Sequence, residues 1–392
     1  MASQAHVPYD RRFGSVYPLF QLLGFSLVPL KGQALTSLRT LTVVFVSLYI
    51  SCELVIIAYS LTYPEDLFFL SDAAGTFADA IQFEIPLLVP LGSLLLSLAK
   101  RTLQHRIAQL MDRIDGQLQA TCSTPGVLER FNHELSRDLL TGMLVYNVIP
   151  AANEFFIISR VSANMIWHRN WLMKVWFFIL LRLGDSFFLL HVQYLRNRYR
   201  CVNYELQRTK GWNVAPEVIH RRLVRLKAIQ NLLKDLAGDV SDRFGWQLFG
   251  VITMLFICTT IDGYWMYASL YHKGNLYKIE SFLCGISPLM MFFMLFNTCQ
   301  RCMDEAEKTF YYLHGVLNRM LPRNTILLIE NFSKQLHNGR VNFSAANFFE
   351  LKLSALTTIF ASITTYLVIY INFIPKTDTF DEYNKEHNLV NA

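Results

Sequence analysis

The chain has 392 residues, of which 53% are hydrophobic and 17% charged, with a formal net charge of +6 and a mean hydropathy of +0.27. A soluble domain carries about 25% charged residues, so this composition argues against a soluble enzyme, a disordered protein and a secreted disulfide scaffold. The seven cysteines, an odd number, also give no disulfide framework. We therefore expect an integral membrane protein.

Seven stretches of mostly apolar residues are each long enough to cross a bilayer, which takes about 20 helical residues. In chain order they are 41–61, 76–98, 139–159, 171–191, 246–268, 279–299 and 353–374. Prolines lie inside the second, third and sixth stretches, which a membrane helix tolerates where its neighbours satisfy the freed carbonyl groups. The prediction is an all-α membrane protein with seven transmembrane helices.

Lysine and arginine are distributed unevenly among the connections of these helices. If the N-terminus is cytoplasmic, the cytoplasmic segments hold 28 of the 36 basic residues and the extracellular segments hold 6. Basic residues favour the cytoplasmic side of a membrane, so we expect a cytoplasmic N-terminus and an extracellular C-terminus. This orientation is opposite to that of G-protein-coupled receptors and argues against a metabotropic receptor.

Ionisable side chains inside a membrane span are costly and mark functional sites. With this orientation, six acids fall in the outer halves of their spans, namely Glu53, Asp79, Glu84, Glu154, Asp262 and Glu280. Apolar walls are expected from the nearby aromatic residues Phe83, Phe155, Phe156, Trp265 and Tyr267. Only Arg182 and Asp185 lie at mid-depth or below, where their i,i+3 spacing predicts that they pair with each other.

These polar residues predict a small-molecule pocket that opens to the outside. Its predicted lining is Asp79, Gln82, Glu84, Asn153, Glu154, Asp262, Tyr264 and Trp265. Such a pocket is acidic and suits polar or cationic ligands. The alternative is that some acids are simply solvated among the lipid headgroups, which fits Glu280 best because it lies one residue into its span.

The last span carries a polar stripe along one face of a helix. Its members follow one another at spacings of four and three residues: Ser354, Thr358, Ser362, Thr365, Ile369 and Asn372. Small hydroxyl residues of this kind can serve helix packing. They equally suit the wall of an aqueous pore, which Ile369 or Phe373 could close by dewetting.

The same span resembles the signature of insect gustatory receptors. Residues 365–373 read TYLVIYINF, where the family shows Thr-Tyr, five apolar residues and Gln-Phe. The segments that lead into this span are also similar to the family, namely 304–309 (DEAEKT), 335–337 (QLH), 341–345 (VNFSA) and 348–351 (FFEL). Outside this region the resemblance consists of the span count, the loop lengths and the orientation.

The resemblance implies a tetrameric ligand-gated cation channel whose last helix lines the pore. The family motif maps to Thr365, Tyr366, Asn372 and Phe373, and the expected pore and gate residues are Asn372, Phe373, Ile369, Thr365, Ser362 and Thr358. Asn372 departs from the usual Gln and is one methylene shorter, so we expect conductance or gating to differ from the family's. Leu367 stands where sugar receptors usually carry an acid, which favours a bitter or otherwise aversive tastant.

The predicted organisation has five parts. They are a cytoplasmic N-terminus (1–40), a ligand-binding bundle of six spans (41–299) with cytoplasmic helical extensions (99–138 and 192–245), a cytoplasmic assembly segment (300–352), a pore helix (353–374) and an extracellular tail (375–392). The amphipathic spacing inside the extensions leaves two interpretations. The extensions either simply prolong the membrane helices or, as we favour, pack into a shared intracellular assembly domain.

The sequence thus predicts a taste receptor in the plasma membrane of chemosensory neurons. Its expected partners are a small-molecule tastant, monovalent and divalent cations, the lipid bilayer, and further copies of itself or related receptors. No phosphate-binding or hydrolase motif occurs, and Cys299 and Cys302 lack the two further ligands that zinc needs, so we expect no enzyme activity, no cofactor, no metal and no nucleic acid. Two alternatives remain: an odorant receptor channel of the same fold, and a secondary transporter that uses the intramembrane acids.

Overall fold

The computed structural model describes residues 13, 17–26, 28, 35–64, 73–122, 126–161, 165–211, 215–270, 275–317 and 321–372. Within these ranges the chain is helical apart from one short hairpin. The helices are α1 (Tyr17–Leu22), α2 (Leu35–Thr62), α3 (Ala73–Ala99), α4 (Arg101–Thr121), α5 (Val127–Phe156), α6 (Met165–Gly211), α7 (Pro216–Ser269), α8 (Asn275–Val316), α9 (Arg323–Asn338) and α10 (Leu353–Asn372). The hairpin strands are β1 (Ser344–Ala345) and β2 (Phe349–Glu350), and a π-helical turn, Ile157–Val161, continues α5.

Seven of these helices are long and apolar enough to cross a membrane: α2, α3, α5, α6, α7, α8 and α10. They contain the seven predicted spans wherever the structure describes them, so the prediction of an all-helical protein with seven membrane helices is confirmed. The prolines at 86, 90, 150 and 288 lie inside continuous helices. The length of the apolar stretch therefore determined where these helices continue, and the helix-breaking tendency of proline did not interrupt them.

Three helices are much longer than a bilayer is thick. α6, α7 and α8 have 47, 54 and 42 residues, which corresponds to about 70, 80 and 63 Å at about 1.5 Å per residue. The hydrocarbon core measures only about 30 Å, so each helix continues well beyond it. α6 packs along α8, and α7 packs against both α8 and α4.

Apolar spacing explains the packing of these extensions. On α4, buried Ile107, Met111, Ile114 and Leu118 recur at intervals of four and three residues. On the facing α7, the residues of one stripe are all buried: Ile219, Leu223, Leu226, Ile229, Leu233 and Leu236. An apolar stripe of this width needs a partner, and the two helices bury their stripes against each other and their neighbours.

The hairpin between α9 and α10 was not predicted from the sequence. β1 and β2 are antiparallel, with Ser344 opposite Glu350 and Ala345 opposite Phe349. Three residues, 346–348, connect the strands. The first two, Ala346 and Asn347, have φ angles of 48° and 63°, which is the left-handed conformation that both central residues of a type I′ turn adopt. Glycine usually supplies this conformation, and its absence here removed the sequence signal for a turn.

The hairpin attaches the start of α10 to the long helices. Gly245 of α7 allows the approach, since a Cβ there would lie only 3.1 Å from the backbone nitrogen of Ala346. Phe348 stacks on Phe249 of α7 with ring centroids 4.8 Å apart. At the end of the hairpin the Leu353 N–H donates to Gln300 Oε1 of α8 at 3.3 Å.

Candidate functional site

The polar stripe of α10 lies on the side of the helix that faces away from its own bundle. Only Leu356 and Ile363 of this helix are buried. The stripe residues Ser354, Thr358, Thr365, Ile369 and Asn372 are exposed, and Ser362 is half-buried. Phe373, the predicted second constriction residue, lies outside the described residues.

The opposite face of α10 packs on α7 and α8. Phe360 meets Phe292 of α8 at 6.0 Å between ring centroids, and Tyr370 meets Tyr264 of α7 at 4.6 Å. Between these levels the Leu367 side chain lies against Gly263, where a Cβ would be 3.2 Å from Leu367 Cδ2. Apolar and aromatic contacts thus fix the helix with its polar stripe pointing outwards.

Hydroxyl groups on α10 donate to the helix's own backbone. Ser362 Oγ donates to the Thr358 carbonyl at 3.0 Å, and Thr365 Oγ1 donates to the Ala361 carbonyl at 3.0 Å. This pairing satisfies the hydroxyl protons inside the helix. The oxygen lone pairs remain on the exposed face, where they can accept hydrogen bonds from water or contact a cation.

The buried ammonium of Lys174 on α6 lies among several of the residues predicted to line the ligand pocket. Asp79 of α3, Asp262 of α7 and Glu154 of α5 are all within electrostatic range of it. The ammonium also lies 5.4 Å from the centre of the Phe83 ring, a distance at which a cation is attracted to an aromatic face. Charged residues from four helices therefore lie close together, at the depth in the outer half of the membrane where the sequence predicted a group of polar residues.

Two direct hydrogen bonds join helices around this centre. Gln82 Nε2 of α3 donates to Asp262 Oδ1 of α7 at 2.7 Å. Asn153 Nδ2 of α5 donates to the Leu283 carbonyl at 3.0 Å and to Ser287 Oγ at 3.2 Å, both on α8. The predicted polar residues thus link α3 to α7 and α5 to α8.

The predicted pairing of Arg182 with Asp185 is wrong. Arg182 forms an ion pair with Glu154 of α5, while Asp185 accepts hydrogen bonds from Tyr146 OH at 3.1 Å and Gln247 Nε2 at 3.4 Å. On a helix the i,i+3 spacing allows a contact but does not require one. Here the neighbouring helices offer each group a partner of its own.

Glu84 belongs to a separate contact between α2 and α3. Its Oε1 accepts a hydrogen bond from Ser60 Oγ at 2.9 Å. Glu53 is 2% exposed and lies within electrostatic range of Glu84. Neither carboxylate oxygen of Glu53 has a hydrogen-bond partner among the described residues.

The aromatic residues divide between the inside and the outside of the bundle. Phe83 and Tyr264 are buried, and Tyr264 packs edge-on against Trp265 with ring centroids 5.1 Å apart. Phe155 and Phe156 are exposed, so the expectation that they line the pocket is wrong. Successive residues of a helix project about 100° apart, which turns both rings away from the side that Glu154 faces. The side chain of Glu280 is outside the described residues.

Sequence reasoning missed the role of Lys174 and the pairing of Arg182 across helices. One signal was available: Lys174, Phe178 and Arg182 follow at intervals of four on α6. The Phe178 ring lies 6.0 Å from the Lys174 ammonium and 5.9 Å from the Arg182 guanidinium. These two cations stand beside the acids, so the charge of this region is mixed and not purely acidic.

Comparison with known proteins gives a family match over most of the chain. The family model described as 7tm chemosensory receptor matches residues 13–377. Putative gustatory receptor 28b of Drosophila melanogaster is 26% identical over 153 residues, or 37% of this chain and 33% of that protein. Gustatory receptor 23a of the same species is 25% identical over 158 residues, or 39% of this chain and 41% of that protein. The alignments thus span less than half of these curated relatives.

Solved structures of the insect olfactory receptor OR5 from Machilis hrabei share the fold. One gives a TM-score of 0.58 at 10% identity and covers 90% of this chain and 96% of that chain. A second, in complex with eugenol, gives a TM-score of 0.62 at 10% identity and covers 93% of this chain and 97% of that one. At this identity the likeness concerns the fold alone.

Proposed function

Since the chain belongs to the 7tm chemosensory receptor family, we propose that it is a taste receptor that works as a ligand-gated, non-selective cation channel. It acts in the plasma membrane of chemosensory neurons and is opened by an extracellular small molecule. The channel is a homotetramer or a hetero-oligomer with related receptors. The observation that carries this proposal is the exposed polar stripe of α10.

The stripe supports a pore because a membrane helix does not expose such a surface to lipid without cost. Polar groups in hydrocarbon are unfavourable unless other protein or water surrounds them. The opposite face of α10 is already packed on its own bundle, so the stripe is available to line a shared aqueous path. Thr358, Thr365 and Asn372 provide oxygen atoms along it, and Ile369 and Phe373 form the proposed gate.

The distribution of basic residues supports the proposed orientation. With 28 lysines and arginines on one side and 6 on the other, the N-terminus is cytoplasmic and the C-terminus extracellular. Lys174 and the acids around it then lie in the outer half of the membrane. A tastant reaches them from outside, as a taste receptor requires.

The charges around Lys174 support a polar ligand without a net positive charge. Two buried cations, Lys174 and Arg182, stand among three acids of the same region, Asp79, Glu154 and Asp262. A cationic ligand would compete with both for the carboxylates, whereas an uncharged ligand can exchange hydrogen bonds with Gln82 or Asn153. Leu367, where sugar receptors usually carry an acid, separately favours a bitter or otherwise aversive tastant.

Cysteine substitution at two adjacent threonines tests the pore assignment. Thr364 and Thr365 are both exposed, and each donates its hydroxyl to the backbone four residues earlier. Only Thr365 belongs to the stripe. We expect a cationic methanethiosulfonate reagent to alter tastant-evoked current irreversibly in Thr365→Cys and to leave Thr364→Cys and the unsubstituted receptor unchanged.

The recording uses patch-clamped cells with verified surface expression and a mixed panel of bitter compounds. Equal modification of both variants would refute the assignment of the α10 stripe to the pore wall. Saturable ion or substrate flux without single-channel current steps would contradict the channel and favour a transporter.

A further inference from the structure

Two cysteines from distant parts of the chain meet beside the cytoplasmic ends of α4 and α6, in the orientation proposed above. The Sγ atoms of Cys122 and Cys201 are 3.9 Å apart, although 79 positions separate them in the sequence. Cys122 caps the C-terminus of α4, where its N–H donates to the Leu118 carbonyl at 2.8 Å. Cys201 lies within α6 and is fully buried, whereas Cys122 is half-buried and reachable from solvent.

The surroundings of Cys122 favour its thiolate form. The hydrogen bond between the two thiols is the main reason that the pKa of Cys122 lies below its ordinary value. The guanidinium groups of Arg198 and Arg208 act in the same direction, while burial and Glu205 oppose them. An accessible thiol of lowered pKa beside a second, resolving cysteine is the arrangement found in redox-sensitive pairs.

We propose that Cys122 and Cys201 form a reversible redox site that a peroxide oxidises to an intramolecular disulfide. The Cys122 thiolate attacks one peroxide oxygen, which breaks the O–O bond and gives a sulfenic acid and a hydroxide. The hydroxide takes up the proton that Cys122 released on ionising and becomes the first water. The Cys201 sulfur then attacks the Cys122 sulfur and displaces the second water. In sum two thiols lose two electrons and two protons, and one hydrogen peroxide becomes two waters.

The geometry requires only a small adjustment for this bond. A disulfide has an S–S distance of about 2.05 Å, so the two sulfur atoms must approach by about 1.9 Å. Cys122 is the C-cap residue of α4 and not an interior helical residue. Its backbone is therefore less constrained by helical hydrogen bonds, and its sulfur can move by this amount. Since the cytosol keeps most thiols reduced, the pair is a dithiol at rest and a disulfide only under oxidation.

The bond would join α4 to α6 at one end of the bundle. α4 packs along α7, the helix that carries Asp262 and contacts α10. Oxidation therefore restrains the helix that supports α7, at a distance from the ligand pocket.

The test uses the purified full-length receptor in detergent, treated with hydrogen peroxide and then with N-ethylmaleimide. After proteolysis, mass spectrometry is expected to find a peptide pair linked through Cys122 and Cys201 that dithiothreitol separates. Because the thiols are already in contact, this pair should exceed every other cysteine pairing by about tenfold or more. Oxidation after unfolding in guanidinium should abolish that preference.

Two variants complete the test. Cys122→Ser should eliminate the linked pair, and Cys302→Ser, which removes another buried thiol, should leave it unchanged. Gel filtration verifies that both variants keep the folded size. The proposal is overturned if native receptor keeps both thiols free for maleimide, if Cys122 is oxidised to sulfinic acid without linkage, or if it pairs equally with other cysteines.

Discussion

The ion pair between Arg182 and Glu154 gives the sharpest test of the packing around the proposed ligand pocket. Its two side chains are 4% and 17% exposed, and they join α6 to α5. Replacing Arg182 by Gln leaves the Glu154 carboxylate buried without the guanidinium. Breaking one side of a buried pair costs about 3–5 kcal/mol, so we expect Arg182→Gln to reduce folded receptor and surface expression strongly.

The charge-neutral double variant Arg182→Gln/Glu154→Gln separates charge from packing. Both amides keep hydrogen-bonding groups, and no unpaired charge remains. We expect the double variant to recover about 2–3 kcal/mol of the stability that the two single variants lose, because contacting residues couple by amounts of this size.

The assay is thermal unfolding of detergent-solubilised receptor, followed by fluorescence-detected size-exclusion chromatography. Arg130→Gln serves as the matched control, since the Arg130–Glu134 pair is a 3.2 Å contact whose arginine is 78% exposed. Such a surface pair contributes only about 0.3–0.5 kcal/mol. An Arg182→Gln variant as stable as Arg130→Gln, or a double variant no better than the sum of its singles, would refute the reasoning.

Three further predictions follow from the same contacts. Gly245→Ala should lower stability by about 1–2 kcal/mol, because its Cβ would press on the hairpin backbone, whereas Gly250→Ala has space at 3.6 Å and should be near neutral in the same thermal assay. Ala346→Gly should raise the thermal midpoint through a gain of about 1 kcal/mol, since it relieves a left-handed alanine; a lowered midpoint would contradict this. Lys174→Met should weaken the tastant response about tenfold or more in cells matched for surface expression, because it removes the cation that the proposed pocket carboxylates surround; an unshifted dose–response curve would exclude Lys174 from the site.

The sequence predicted the features that depend on one segment alone. A run of about 20 apolar residues identifies a membrane helix without knowledge of its neighbours, and all seven were found. The stripe from Ser354 to Asn372 likewise depends only on the angle between successive residues of a helix.

The contacts that depend on several segments could not be predicted. Arg182 has Asp185 three residues away, yet its partner is Glu154, because the rotation of α5 and α6 brings those two together. The hairpin at Ala346 and Asn347 is stabilised by packing on Gly245 and Phe249 of a distant helix. Neither rotation nor packing is encoded in local spacing, which explains why the cations Lys174 and Arg182 beside the predicted acids were not anticipated.

In the proposed channel, helix α7 is the element through which a ligand would act on α10. It carries Asp262, two residues from the Tyr264 that contacts Tyr370, and farther along it holds the hairpin through Phe249. α10 is thus attached to one helix at both ends, with Leu367 against Gly263 in between. A ligand shifts an equilibrium only as far as it binds one state better than the other. Any ligand that prefers a different position of Asp262 therefore favours a different position of α10, without a separate coupling segment.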